Sequence, residues 1–308
     1  MIEAVGLAKT FGTEVHAVRG VSFRVAAGEV VGLLGPNGAG KTTTMRMLST
    51  LERPTGGTAT VAGHDLLRDA RGVRKVIGLV AQAGGTRPIA TARDELVLQA
   101  RLHRLPAPET RAREMIDAFD LAGLADRPSA TLSGGQRRRL DLAIGLVHRP
   151  SVVFLDEPTA ALDPPSRLEL WAHLRQLRER TGATVMISTH HLDEADSLCD
   201  RVLILDHGRI VAEDSPAALK RELGADVITL DPGPDPERAR DVVAALPGVQ
   251  RVHAAAGEVR IGCANAEELL APTVLALHRA GVEVRGLSVG RPSLDDVFLA
   301  RTVPARAR

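Results

Sequence analysis

The chain of 308 residues has no tyrosine, one tryptophan and five phenylalanines, so aromatic side chains make up only 2% of it. Proteins that hold single-stranded nucleic acid by base stacking need aromatic platforms, and this composition does not supply them. Charge argues the same way: 39 Lys and Arg stand against 38 Asp and Glu, a formal net charge of +1, without the basic excess that a phosphate backbone attracts. No nucleic-acid partner is expected. No apolar run approaches the ~20 residues that cross a bilayer. The opening Met1-Ile2-Glu3-Ala4 lacks the charged and apolar segments of a secretion signal. A cytosolic protein is expected, and any path through a membrane must come from another chain. The two cysteines, Cys199 and Cys263, show neither metal nor redox spacing; buried free thiols are expected.

What is present is more specific. Residues 35–43 read Gly35-Pro36-Asn37-Gly38-Ala39-Gly40-Lys41-Thr42-Thr43, after the apolar run 30–34 and before a helical pattern over 43–48. The run suits a buried parallel strand. Glycines at 35, 38 and 40 are expected to take positive φ, so that several N–H groups point at one anion. Lys41 would reach the β- and γ-phosphates, the Thr42 hydroxyl would join a magnesium shell, and the helix N-terminus would add partial positive charge. A plain glycine turn with Lys41 on the surface is the bland alternative; the full G-x-x-x-x-G-K-T pattern between strand and helix argues against it. The motif by itself specifies no reaction.

A second apolar run, 152–155, ends in Asp156-Glu157. Carboxyl ends of strands are where open α/β sheets bind ligands. Asp156 would hold magnesium through water, and Glu157 would polarise the attacking water, a general-base contribution of about 10²–10⁴-fold. A third run, 184–188, ends in Thr189-His190. His190 lies on the same sheet edge as Glu157 and can donate to a γ-phosphate; His191 reads as an exposed neighbour. Gln82 follows the run 76–80 in an equivalent place. The arginines at 137–139 read as a solvated helix face.

With these residues goes Leu132-Ser133-Gly134-Gly135-Gln136, and over residues 2–222 the chain resembles the nucleotide-binding subunit of ABC transporters, a resemblance that makes 132–136 the signature segment. The resemblance implies an α/β fold: a P-loop NTPase ABC cassette with a mixed sheet core and a helical subdomain. It implies ATP and Mg2+ as ligands, and a homodimer in which each ATP lies between the P-loop of one subunit and Ser133, Gly134, Gly135 and Gln136 of the other. Gln82 becomes the Q-loop residue, catalytic with Glu157 and His190, and a neighbour of magnesium beside Thr42 and Asp156. Ala161-Leu162-Asp163 becomes the D-loop, with Asp163 at the nucleotide, and His190 the switch histidine. Phe11 sits where the family places an aromatic against adenine, with Val18 packing on the same base. The partner implied is a separate integral-membrane permease, which places the chain peripherally at the cytoplasmic face of the membrane. Residues 137–143, 188–196 and 292–299 resemble the daunorubicin-resistance type, which exports drugs and other hydrophobic compounds. The rival reading, a soluble ABC ATPase in assembly, repair or translation, finds neither a long coiled coil nor a second cassette here.

Length suggests two domains. Residues 1–224 would form the ATP-binding domain, with a helical subdomain over about 84–150 in which Pro106 and Pro108 break helices. A helix over 168–180 should stop at Gly182, and 202–211 reads as a hairpin. Residues 225–308 follow the order β-α-β-β-α-β, a small α+β ferredoxin-like unit with a turn at 255–257 and a last strand over 282–289. It carries no catalytic cluster and reads as a dimerising or regulatory domain. Asp295-Asp296 suit a helix start.

Overall fold

The apolar runs of the sequence become the central strands of a mostly parallel sheet. The computed structural model describes residues 1–160, 162–223, 226–255 and 257–302, and the chain divides into two compact units, Met1–Ile210 and Val211–Arg308.

In the first unit β1 (Ile2–Phe11) and β2 (Val15–Val25) pair antiparallel, followed by β3 (Val30–Leu34) and α1 (Lys41–Leu48). Then come β4 (Gly56–Val61), β5 (His64–Asp65), α2 (Ala70–Val76) and β6 (Ile77–Val80). The helical stretch holds α3 (Ala92–Leu102), α4 (Pro108–Ala118) and α5 (Gly134–Leu146). The unit continues with β7 (Val152–Asp156), α6 (Pro164–Thr181), β8 (Thr184–Thr189), α7 (Leu192–Leu198) and β9 (Arg201–Asp206), and the boundary at Ile210 falls within β10 (Arg209–Asp214).

Six strands form one sheet in the order β10-β9-β3-β8-β7-β6. β3 lies parallel to β8 and β9, and β7 parallel to β6 and β8. Every residue of β3, β7 and β8 is buried, the pattern of strands covered on both faces. Register aligns their ends: Leu34 faces Thr189, Asp156 faces Ser188, and Val80 faces Leu155. Whatever follows these strands therefore emerges along one edge. A four-stranded antiparallel sheet, β2-β1-β4-β5, shares its core: Ile2, Leu7 and Phe23 cluster with Leu33, Met45 and Phe154.

The break expected at Pro106 and Pro108 separates α3 from α4, and Pro108 opens α4, because the first turn needs no N–H there. Helix α6 starts at Pro164, earlier than the periodicity suggested, and stops at Gly182, which takes the left-handed conformation at φ 62.

The second unit contains α8 (Pro216–Arg221), β11 (Asp226–Asp231), α9 (Pro236–Ala244), β12 (Val249–Ala255), β13 (Glu258–Cys263), α10 (Ala266–Arg279), β14 (Gly286–Gly290) and α11 (Leu294–Thr302). The sheet order is β12-β13-β11-β14, all antiparallel, which is the ferredoxin-like split arrangement. Helices α9 and α10 bury Val243, Leu269 and Leu277 against Ile228, Val259 and Ile261. The last strand starts later than residue 282. Val282 N–H closes back on Leu277 O and its side chain joins the core, so the segment after α10 serves the helix exit before pairing begins. The expected division at 224 and 225, and Ala256 in the expected turn, lie outside the described residues. Cys199 and Cys263 are both free and buried.

Candidate nucleotide site

The loop after β3 closes around its own lysine. Lys41 Nζ donates to Gly35 O at 2.7 Å and to Pro36 O at 3.2 Å, and only 5% of its side chain is exposed. Gly38 and Gly40 take φ +83 and +105, Gly40 as the N-cap of α1. Gly35 does not have positive φ, contrary to expectation; its requirement is space. A Cβ there would stand 2.3 Å from Leu205 O.

Beside the loop, the ends of β7 and β8 assemble a polar cluster. Thr42 Oγ1 donates to Asp156 Oδ1 at 3.0 Å, and the Ser188 hydroxyl donates to the same oxygen. Glu157 Oε1 lies 3.5 Å from Lys41 Nζ, and Oε2 lies 2.8 Å from His190 Nδ1. Glu157 has φ +47, a left-handed conformation that costs a non-glycine residue about 1–3 kcal/mol and persists only where its surroundings enforce it. Here its N–H is shared between Ser188 O at 3.0 Å and Ser188 Oγ at 3.1 Å. Among the described residues no three His, Cys, Asp or Glu side chains group to hold a metal unaided. Thr42 and Asp156 do offer the hard oxygens that Mg2+ takes when phosphate and water complete its shell, so the donor set fits that ion.

A cleft of about 450 Å³ joins the P-loop residues Pro36, Asn37, Gly38, Gly40, Lys41, Thr42 and Thr43 to Phe11, Gln82, Glu157 and His190. Phe11 forms its outer wall, half-exposed, with Lys9 Nζ 4.9 Å from the ring centre. Val18 is not in this wall. It is 1% exposed and belongs to the core; the β1–β2 register shifts between Lys9 and Thr10, and Val15, His16 and Ala17, next to that irregularity, line the cleft in its place. His191 is partly buried rather than exposed, its ring tilted against that of His190 at 4.2 Å. Burial, followed by the charges of His190 and Arg167, pushes its imidazole below the ordinary range.

The segment 132–136 lies outside the cleft lining. Ser133 caps α5, accepting from Gln136 N, while Gln136 Oε1 accepts from Ser133 N, a reciprocal capping box. A Cβ on Gly135 would lie 2.9 Å from Ser166 Oγ. The Asp163 carboxyl is held below the usual range, first by a hydrogen bond with the Ser166 side chain. Asp163 and the signature segment therefore meet at Ser166. Ala161, the first residue of the expected D-loop, lies outside the described residues.

Sequence reasoning missed Arg138. It is 7% exposed, not part of a solvated face. Its Nε donates to Pro158 O at 2.7 Å and Nη1 to Ala81 O at 2.7 Å, while Nη2 reaches Asp156 O at 3.1 Å and Glu157 O at 3.3 Å. Successive helical residues point about 100° apart, so one of three adjacent arginines can turn inward. Nothing in the sequence marks which one. Glu194 was also unremarked; it is fully buried and accepts from Trp171 Nε1 at 3.2 Å, and burial pushes its carboxyl up.

The fold and this cleft together define a P-loop ATPase cassette. Comparisons with known proteins agree: the ABC transporter family matches residues 18–160, and the C-terminal domain of DrrA1-3-like ATP-binding proteins matches residues 215–302. The daunorubicin/doxorubicin resistance ATP-binding protein DrrA of Streptomyces peucetius is 43% identical over 308 residues, covering 98% of this chain and 92% of that protein. The doxorubicin resistance ATP-binding protein DrrA of Mycobacterium tuberculosis is 39% identical over 306 residues, covering 96% and 92%. Among solved structures, a dimeric ATP-binding cassette in a post-hydrolysis state with ADP and Pi is similar at TM-score 0.64 and 28% identity, covering 70% of this chain and 98% of that one. The chain belongs to the ATP-binding proteins of ABC transporters, in the DrrA-like group. It is accordingly an ATP-binding, ATP-hydrolysing transporter subunit, and the rival assembly, repair or translation reading finds no support.

Proposed function

We propose that two copies of this chain close head to tail on two Mg-ATP and drive a separate membrane permease, which exports a drug, antibiotic or other hydrophobic compound. One observation carries the reading: Glu157 is held between Lys41 and His190 in a chain where no described helix is long and apolar enough to cross a membrane. The class of cargo is suggested by the relatives, which are named for resistance to daunorubicin and doxorubicin.

In this reading the P-loop and Lys41 neutralise the β- and γ-phosphates. Thr42, Asp156 and Gln82 hold Mg2+, whose charge offsets that of the phosphates when it is bound. Glu157 accepts the proton of the attacking water, and His190 orients that carboxylate and faces the γ-phosphate. Phe11 stacks on adenine. Ser133, Gly134, Gly135 and Gln136, with Asp163, meet the ATP of the partner subunit; their place outside the cleft favours use across an interface.

The same proposal assigns 1–224 to the ATP-binding domain, with its helical subdomain at about 84–150, and 225–308 to a dimerising or regulatory domain. Helix α10 supports a contact role there, since it exposes Val274 and Leu275 between acids at its start and Arg279 at its end. The protein would sit at the cytoplasmic face of the membrane, held by its permease.

Affinity purification from detergent-solubilised membranes tests this. A polytopic membrane protein should co-purify and raise the ATPase rate, and its loss should sensitise cells to hydrophobic drugs. Recovery of a soluble assembly factor in its place would overturn the transport role.

A further inference from the structure

Helix α5 begins at the signature segment, and one turn into it stands Arg138. All three nitrogens of its guanidinium donate, and every partner is a main-chain carbonyl: Ala81 after β6, Asp156 at the end of β7, and Glu157 and Pro158 after it. Among the described residues no carboxylate forms an ion pair with it, so its position is set by backbone rather than by a salt bridge. The left-handed turn at Glu157 takes the chain out of the sheet ladder; Glu157 O accepts from Ala160 N at 3.2 Å as well as from Arg138, and Arg138 supplies the donor to Pro158 O, as buried carbonyls require. Only a planar, five-donor fork can serve several of them at once. On the next turn of the same helix, Asp141 faces the backbone of Gly84 and Gly85. Helix α5 therefore holds the segment around Gln82 through Arg138 and Asp141, and the Glu157 turn through three hydrogen bonds from Arg138.

We propose that Arg138 is a positioning residue for hydrolysis: it holds the backbone carrying Glu157 and couples that backbone rigidly to the signature helix and to the segment of Gln82. The proposal rests on the reading of Glu157 as the base. A shift of α5 against the sheet moves the Glu157 carboxylate with it, so hydrolysis is competent only when the signature helix is seated. ATP binding, which uses the P-loop, does not pass through this strut.

Arg138→Lys and Arg138→Met in the full-length chain test it, each alone and combined with Glu157→Gln. ATP affinity should stay within about threefold, while the single-turnover rate falls about 10²-fold, the typical loss from misplacing a reacting group by about 1 Å. In the Glu157→Gln background the same substitutions should change the residual rate by less than about threefold, because the group they position is gone. A purely structural role would lower the melting temperature and reduce the rate by the same factor in both backgrounds. Equal loss in both, or Arg138→Lys turning over within about threefold of wild type, overturns the proposal. If Arg138→Met does not fold, Arg138→Lys carries the comparison alone. Wild-type turnover in Glu157→Gln alone would overturn the base assignment and this inference together, whereas equal losses over a crippled Glu157→Gln would overturn this inference only.

Discussion

His190 Nδ1 and Glu157 Oε2 stand 2.8 Å apart, joining the ends of β8 and β7. An ionised carboxylate only accepts, so this nitrogen carries the proton and the other ring nitrogen is left for a ligand. The pairing follows from register: Asp156 faces Ser188 across the two strands, which brings the residues just beyond them to one edge.

Glu157→Gln should lower ATP hydrolysis by about 10²–10⁴-fold while leaving ATP binding intact, and the variant should accumulate as an ATP-bound dimer in size-exclusion chromatography. His190→Ala frees the carboxylate from its partner and should cost about 10²-fold in kcat with little change in KM. Steady-state phosphate release measures both, and undiminished turnover in either would remove that residue from the chemistry.

Two P-loop glycines should respond differently to the same substitution. Gly35→Ala places a Cβ 2.3 Å from Leu205 O and 3.1 Å from Ala39 Cβ, so the loop must shift and nucleotide binding should be lost. Gly38→Ala meets nothing within 4 Å and bears only the strain of its φ, about 1–2 kcal/mol. Thermal melts and nucleotide titrations should rank Gly38→Ala well above Gly35→Ala.

Thr42→Val removes the donor to Asp156 Oδ1 together with one hard oxygen. Loss of groups that orient a metal costs about 10–100-fold in affinity. ATP should therefore bind about that much more weakly in magnesium and nearly as in wild type with EDTA. An equal loss in both buffers would place the role of Thr42 in folding the loop.

His148 sets a stability limit on the acid side. Burial, then the neighbouring charge of His103, pushes its pKa down to about 4 from an ordinary 6.5; the two rings stack at 3.8 Å. Below 6.5 the unfolded chain takes a proton that the folded chain refuses. Its contribution to stability is thus whole above pH 6.5 and lost as pH falls toward 4. Melting temperatures from pH 7.5 to 4.5 should fall less for His148→Asn than for wild type; parallel curves would exclude the effect.

The parts of the site that were legible in the sequence are those made by contiguous residues. A glycine loop followed by Lys41 and Thr42 carries its geometry in five or six neighbouring positions, and the buried strands announce themselves as apolar runs. Val18 shows where this stops. It is apolar and stands in the strand paired with that of Phe11, but across the β1–β2 pair it faces Lys9 while Phe11 faces Val15; which residues meet depends on strand register, and register is a property of the pair. Gly35 was placed correctly for the wrong reason: the obstacle is a carbonyl of β9, far away in the chain.

Sequence alone thus determined the ligand chemistry, because a phosphate cradle, a pair of carboxylates and a histidine are recognisable as residue types at strand ends. Tertiary structure alone decided which of three adjacent arginines is buried and what it holds. That choice depends on the rotation of α5 against the ends of β6 and β7, and no local preference of Arg137, Arg138 or Arg139 encodes it.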